Sequence, residues 1–213
     1  MRTDELITLL STNLERVESF KFGRNISDAI LLGVGAASIT AVLILGARTN
    51  LYESRALTLF LVKVTFGLGI ASLASVYLVK HSRPGGEVRS RISLPALPFL
   101  AVMAIAALNL ALSPRSHWQH MLIGDQWLVC LISIPVIAIL PFSLIMWAIR
   151  LAAPTNLRRT GALAGLIAGG ISASAYALHC TDDSLPFVAL WYSGTVVLCT
   201  VAGAVLGVRL LRW

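Results

Sequence analysis

Acidic side chains are scarce: 10 Asp and Glu stand against 17 Lys and Arg in 213 residues, and none lies in the interior of a long apolar run. Charged residues of both signs make up 13% of the chain, about half of what a soluble domain carries. There is no CxxC, no HExxH, no HxxxCxxC and no basic patch interleaved with aromatics. Zinc-finger, metalloprotease and nucleic-acid-binding chemistry therefore have no motif to rest on. No small-residue cleavage site follows a short apolar core, so a removable signal peptide is not expected. Long polar stretches are missing too, which leaves no room for a second globular domain.

What fills the chain is apolar. The hydrophobic fraction is 57% and the mean hydropathy +0.81, values of an integral membrane protein. Runs reaching the bilayer length of about 20 residues fall at Ser27 to Ala47, Ala56 to Lys80, Ile92 to Leu112, Trp127 to Ile149, Thr160 to Leu178 and Leu185 to Val208. The expected fold is all-α: a multi-pass membrane protein with six transmembrane helices and a short amphipathic cytoplasmic N-terminal helix. The chain divides into residues 1–26, the bundle at 27–208 and a tail at 209–213.

An even number of spans puts both termini on one side, and the basic residues choose which. With the N-terminus inside, inner segments carry Arg2, Arg16, Lys21 and Arg24; Lys80, Arg83, Arg89 and Arg91; Arg150, Arg158 and Arg159; Arg209 and Arg212. Only Arg48, Arg55 and Arg115 fall outside. This asymmetry accounts for the net charge of +7 without a nucleic-acid partner. Both termini are expected in the cytoplasm.

The N-terminal segment places Leu6, Leu9, Leu10, Leu14 and Val17 on one helical face, opposite Glu5, Ser11, Thr12, Glu15 and Arg16. Thr3 is placed to cap this helix, and Asp4 and Glu5 in its first turn suit the helix dipole. One reading is a helix lying on the lipid surface, but such helices are usually rich in Lys and Arg on the polar face. This one alternates signs. The favoured reading is a helix that lays its Leu face into a groove of a soluble partner.

Small residues recur every four positions: Gly33, Ala37 and Ala41; Gly67, Ala71 and Ser75; Gly161, Gly165, Gly169 and Ala173; Gly203 and Gly207. That spacing lets membrane helices approach closely. Intramolecular packing is expected, with a homodimer seam on the fifth span as the alternative. Lys63 lies inside the second span, where a lysine costs ~2.5 to 3.5 kcal/mol if central. A proton relay would need an acidic partner within the membrane. Pairing with Asp182 or Asp183, or with backbone carbonyls, is sufficient. Pro95 and Pro98 in the third span and Pro135 and Pro141 in the fourth are tolerated kinks.

The most polar interruption is the hairpin LHCTDDSLPFVALWYSG, Leu178 to Gly194, which is expected to expose a cysteine and two carboxylates between two apolar runs. It carries His179, Cys180, Asp182, Asp183 and Ser184, with Trp191 and Tyr192 just beyond. Cys130, at the start of the fourth span, falls on the same membrane face, as do His117, His120 and Asp125. Cys199 lies mid-span, where a buried thiol is ordinary. Three readings stand for the Cys130 and Cys180 pair: a structural disulfide, a soft-metal site that could include His179, and a redox- or metal-responsive switch. No resident cofactor is expected beyond a transient soft metal ion. In the switch reading, the kinked fourth span carries the movement inward.

The pattern of His179-Cys180, Asp183-Ser184, Phe187 and Trp191-Tyr192 resembles the NrsF family, membrane-bound negative regulators of sigma-F. Cys130 ahead of Ile134-Pro135, the turn Ala152 to Thr155, the glycine-rich fifth span and the N-terminal MRTDELITLL add to the likeness. The resemblance implies an anti-sigma factor, not an enzyme, in the bacterial inner membrane. Its implied partner is an extracytoplasmic-function sigma factor, with Cys130 and Cys180 responding to metal or oxidant stress. Sigma binding would then fall to the N-terminal segment and the cytoplasmic loops. The alternatives from other classes are a membrane thiol-disulfide oxidoreductase, which would need a tuned thiol pair and a cofactor pocket, and a small transporter. A homo-oligomer stays open.

Overall fold

The computed structural model describes residues 19–49, 53–81, 94–150 and 156–212. The N-terminal face of Leu6, Leu9, Leu10, Leu14 and Val17 and the turn Ala152 to Thr155 lie outside them. Among the described residues every regular element is helical. In chain order these are α1 (Ser19–Leu45), α2 (Ser54–His81), α3 (Leu97–Ala111), the short α4 (Trp118–Ile123), α5 (Trp127–Arg150), α6 (Leu157–Tyr176) and α7 (Leu185–Leu210).

Five stretches of the described residues are long and apolar enough to cross a membrane: Gly23–Leu45, Ala56–Val79, Leu94–Ala111, Arg115–Arg150 and Leu185–Leu210. They point large apolar side chains outward. Leu31, Leu43, Leu100 and Trp147 are all exposed, an arrangement that lipid rewards and water penalises. The fifth expected span corresponds to α6, which is 20 residues long but too rich in Gly, Ala and Ser to stand with these five. Its position explains the composition. α6 lies at the centre, packed on α7, α2, α5 and α1, and from Thr160 to Tyr176 nearly every residue is buried. A helix surrounded by helices needs small side chains rather than greasy ones.

The glycine stripes do their work inside the chain. A Cβ added at Gly161 would collide with the carbonyl of Gly203, and one at Gly165 with the carbonyl of Cys199. On the opposite side, a Cβ at Gly67 of α2 would strike Ser174 and the carbonyl of Gly170. The stripe on α6 is thus occupied by α7 and α2, and it offers no seam to a second copy. α1 meets α5 in the same manner, with Gly33 set against Pro141. Gly46, at φ 81°, ends α1 in the left-handed conformation, its N–H donating to Val42 O at 3.0 Å; glycine adopts this turn without steric cost.

Candidate functional site

The ends of α1, α3 and α6 and the starts of α2, α5 and α7 meet at one end of the bundle, where the sequence placed its hairpin. Local chemistry assembles this hairpin. α6 finishes at Tyr176, and the N–H groups of Ala177, Leu178 and His179 and of Cys180 fold back onto the carbonyls of Ala173, Ala175 and Tyr176. The Ser184 hydroxyl accepts from the Phe187 N–H at 3.3 Å and so caps α7. The same hydroxyl donates to Met121 O of α4 at 2.7 Å. Phe187 is fully buried. Trp191 donates from Nε1 to Leu122 O at 2.8 Å and lies 5.2 Å from Trp127, ring centre to ring centre. A π-helical turn at Val188–Tyr192 rotates these aromatic residues relative to a regular helix.

The two carboxylates have different tasks. Asp182 accepts from the backbone N–H groups of Asp125 at 3.1 Å and Gln126 at 2.8 Å, closing the N-terminal end of α5, where free N–H groups and the helix dipole favour an anion. Asp183 is an ion-pair centre. Its Oδ2 accepts from Arg48 Nη2 at 2.7 Å. Its Oδ1 accepts from Lys63 Nζ at 3.0 Å and from Arg48 Nη1 at 3.2 Å. Burial pushes the Asp183 carboxyl up, but the Arg48 hydrogen bond and the Lys63 charge outweigh it and hold the group below its ordinary value. The hydrogen bond to Asp183 raises the Arg48 guanidinium in turn.

Lys63, with no exposed surface, spends its three donors on three acceptors. Besides Asp183 it reaches the Cys180 carbonyl at 3.3 Å and the Cys180 Sγ at 3.6 Å. Arg48 also donates to the Cys180 carbonyl, at 3.0 Å. A pairing of Lys63 with a hairpin carboxylate therefore replaces the relay alternative, and Asp183 is the partner. Two cations against one carboxylate leave a positive excess beside the Cys180 sulfur.

The hairpin does not expose its cysteine, contrary to expectation. Cys180 and Cys130 are both fully buried, because the hairpin folds inward and the two thiols are enclosed by side chains of the bundle and of the start of α7. Both belong to one cluster with Phe66, Ile134, Tyr176, Phe187 and Tyr192. Cys130, Cys180 and Cys199 are free thiols. The Tyr176 and Tyr192 hydroxyls are buried beside them and have no hydrogen-bond partner among the described residues. A ligand set of Cys130, Cys180 and His179 is not formed: among the described residues no three His, Cys, Asp or Glu side chains gather to hold a metal. His179 instead turns Nδ1 to Gly46 O at 3.2 Å. Outside the thiol cluster, a cavity of about 890 Å3 brings together His117, His120, Asp125, Asp182 and Asp183.

Arg48, Gly46, Gly124 and Gln126 escaped the sequence reading. Arg48 did carry a signal, as a basic residue on the face that should be poor in them. Gly124, at φ 60°, lies so close to Asp182 and Phe187 that any side chain would collide with them.

The chain is similar to known proteins along its whole length. Residues 10–213 match the family described as negative regulator of sigma F, NrsF. A protein of Azospira oryzae named probable anti-sigma-F factor NrsF is 30% identical over 213 residues, covering 100% of both chains. The anti-sigma-F factor NrsF of Caulobacter vibrioides is 33% identical over 215 residues, again with 100% of both covered. No solved structure matches. With the motif residues seated as described and the match running through the entire bundle, the chain belongs to the NrsF family of negative regulators of sigma F.

Proposed function

We propose that this protein is an anti-sigma factor of the bacterial inner membrane. It holds an extracytoplasmic-function sigma factor through its N-terminal segment and releases it when oxidant or soft metal acts on Cys130 and Cys180 from the periplasm. The observation that carries the sensing half is the setting of Cys180: a buried free thiol whose sulfur lies 3.6 Å from Lys63 Nζ, in one cluster with Cys130. Its relatives' names supply the sigma-binding half. The role is regulatory rather than catalytic.

In this reading α6, the fifth span in chain order, also crosses the membrane and makes the total six, which brings both termini to the cytoplasm with Arg150, Arg158 and Arg159. The leucine face of the N-terminal segment then lies on the side where sigma factors are found. In the oxidative branch the two thiols form one S–S bond and lose two protons and two electrons; hydrogen peroxide takes them up and is reduced to two waters. In the metal branch the two sulfurs give a soft cation two ligands, a transient occupancy rather than a resident site.

The test is to purify the tagged full-length protein from detergent before and after stimulus and to probe for sigma factors. A sigma factor that co-purifies from resting cells and is lost after stimulus is expected. Its absence from resting cells would end the reading. Labelling of a Gly85→Cys variant from outside the cell would overturn the orientation.

A further inference from the structure

Three elements distant in sequence converge on Cys180 and Asp183. From the exit of α1, the Arg48 N–H donates to Leu178 O at 2.9 Å, Gly46 O meets His179 at 3.2 Å, and the Arg48 guanidinium spans the Cys180 carbonyl and both oxygens of Asp183. From α2 comes Lys63, touching the same carbonyl, the same carboxylate and the sulfur itself. From the hairpin come the acceptors. Arg48 is 7% exposed and Lys63 0%, so these charges exchange little with water and depend on one another. We infer that Arg48, Lys63 and Asp183 form a charge clamp that holds the sigma-retaining state, reads the chemical state of Cys180, and passes a change to α1.

The clamp is built around the atom that would react. If Cys180 bonds to Cys130, its sulfur leaves Lys63, and an ammonium in dry surroundings loses one of three acceptors. If a soft cation caps the sulfur, it places positive charge beside a site that already holds two cations and one anion. Either event disfavours the present arrangement of Lys63, and Lys63 shares Asp183 with Arg48. Loss at one partner is therefore felt at the other. Arg48 is three residues beyond the end of α1, and α1 is the helix whose other end continues into the N-terminal segment. The kinks of α5 suggested that helix as the carrier, yet Pro141 is packed against Gly33 of α1, and Cys180 accepts from Lys63 of α2 at its sulfur and carbonyl and from Arg48, just beyond α1, at its carbonyl.

This inference rests on the anti-sigma reading, and the experiment keeps the two apart. Arg48→Gln and Asp183→Asn are made in the full-length membrane protein, each alone and together with Cys130→Ser and Cys180→Ser. Sigma-dependent transcription without stimulus, sigma co-purification and the amount of inserted protein are measured. Both clamp variants are expected to raise basal transcription by roughly tenfold or more, the shift that ~1.4 kcal/mol of bias produces. They do so at normal membrane amounts and with or without the cysteines. Asp183→Glu, which keeps the charge, restores most of the retention. A second readout is the rate at which Cys180 reacts with a membrane-impermeant maleimide, compared in a Cys130→Ser and Cys199→Ser background. Asp183→Asn should speed it by about the same factor, because the clamp is what closes the hairpin over the thiol.

Wild-type retention in Arg48→Gln, or an unchanged alkylation rate in Asp183→Asn, overturns the clamp. Should Arg48→Gln fail to accumulate, Arg48→Lys replaces it: partial release supports the clamp and full retention overturns it. Failure of the sensing half shows elsewhere, as a normal stimulus response in the cysteine variants that carry an intact clamp.

Discussion

The glycine seam and the charge cluster hold the two ends of the same helix by opposite means. Along α6 the contact with α7 and α2 is backbone against backbone, at Gly161, Gly165, Gly203 and Gly67. At the end of α6 the hairpin is held by Arg48, Lys63 and Asp183. A close-packed seam has one good arrangement, because any displacement either opens a void or forces a collision. An ion-pair centre depends on the protonation, ligation and position of its members, so a chemical event can tip it. The molecule thus has a scaffold that chemistry at the surface does not reach and a pole that it does.

The largest effect should come from breaking the seam. Gly165→Leu drives a side chain into the Cys199 carbonyl and should cost about 3 kcal/mol or more, removing the protein from the membrane fraction. An immunoblot showing wild-type amounts would contradict the packing described. Next is the partner face. Replacing Leu6 and Leu10 together by Asp should lower sigma affinity by two to four powers of ten, at ~1.5 to 3 kcal/mol per buried Leu, while the bundle remains inserted. Unchanged affinity in a pull-down titration would move sigma binding to the loops.

Cysteine substitutions sharpen the contrast at the pole. Cys130→Ser and Cys180→Ser should each abolish the response to oxidant and soft metal, the double variant should match either single one, and Cys199→Ser, beside the seam, should respond normally in a reporter strain. The smallest effect is expected from acid. The Asp183 carboxyl is raised by burial but lowered further by Arg48 and Lys63, leaving it below the ordinary range. Its contribution is complete above the ordinary carboxylate value near ~3.9 and is lost only as pH falls through the depressed value. Acidifying the medium from about pH 7 to about pH 5 should then leave reporter output unchanged, since Asp183 keeps its charge across that window. Acid-induced release above pH 5 that vanishes in Asp183→Asn would refute this assignment.

Several features at the hairpin could be read directly from residue order. The sixth apolar run was expected to begin at Leu185, and α7 begins there with Ser184 as its cap. Cys130 and Cys180 were placed on one face and share one cluster. Their burial was not legible, because a polar hairpin looks solvent-exposed until Phe66, Tyr176, Phe187 and Tyr192 are seen gathered around its cysteine. Lys63 stood out as a buried charge, but choosing Asp183 over Asp182 required knowing that Asp182 is engaged at the start of α5.

Composition and periodicity by themselves determined the all-helical class, the apolar character, the approximate helix bounds and the small-residue stripes. Those properties arise within one helix and its solvent, and a single helix's residues report them. Only the tertiary structure decided that α6 is central, that its glycines face α7 rather than another copy, and that Arg48 is joined to Asp183 across 135 positions of chain. Such pairings depend on which helix ends come together, and that is settled by the packing of the whole bundle rather than by any local run of residues.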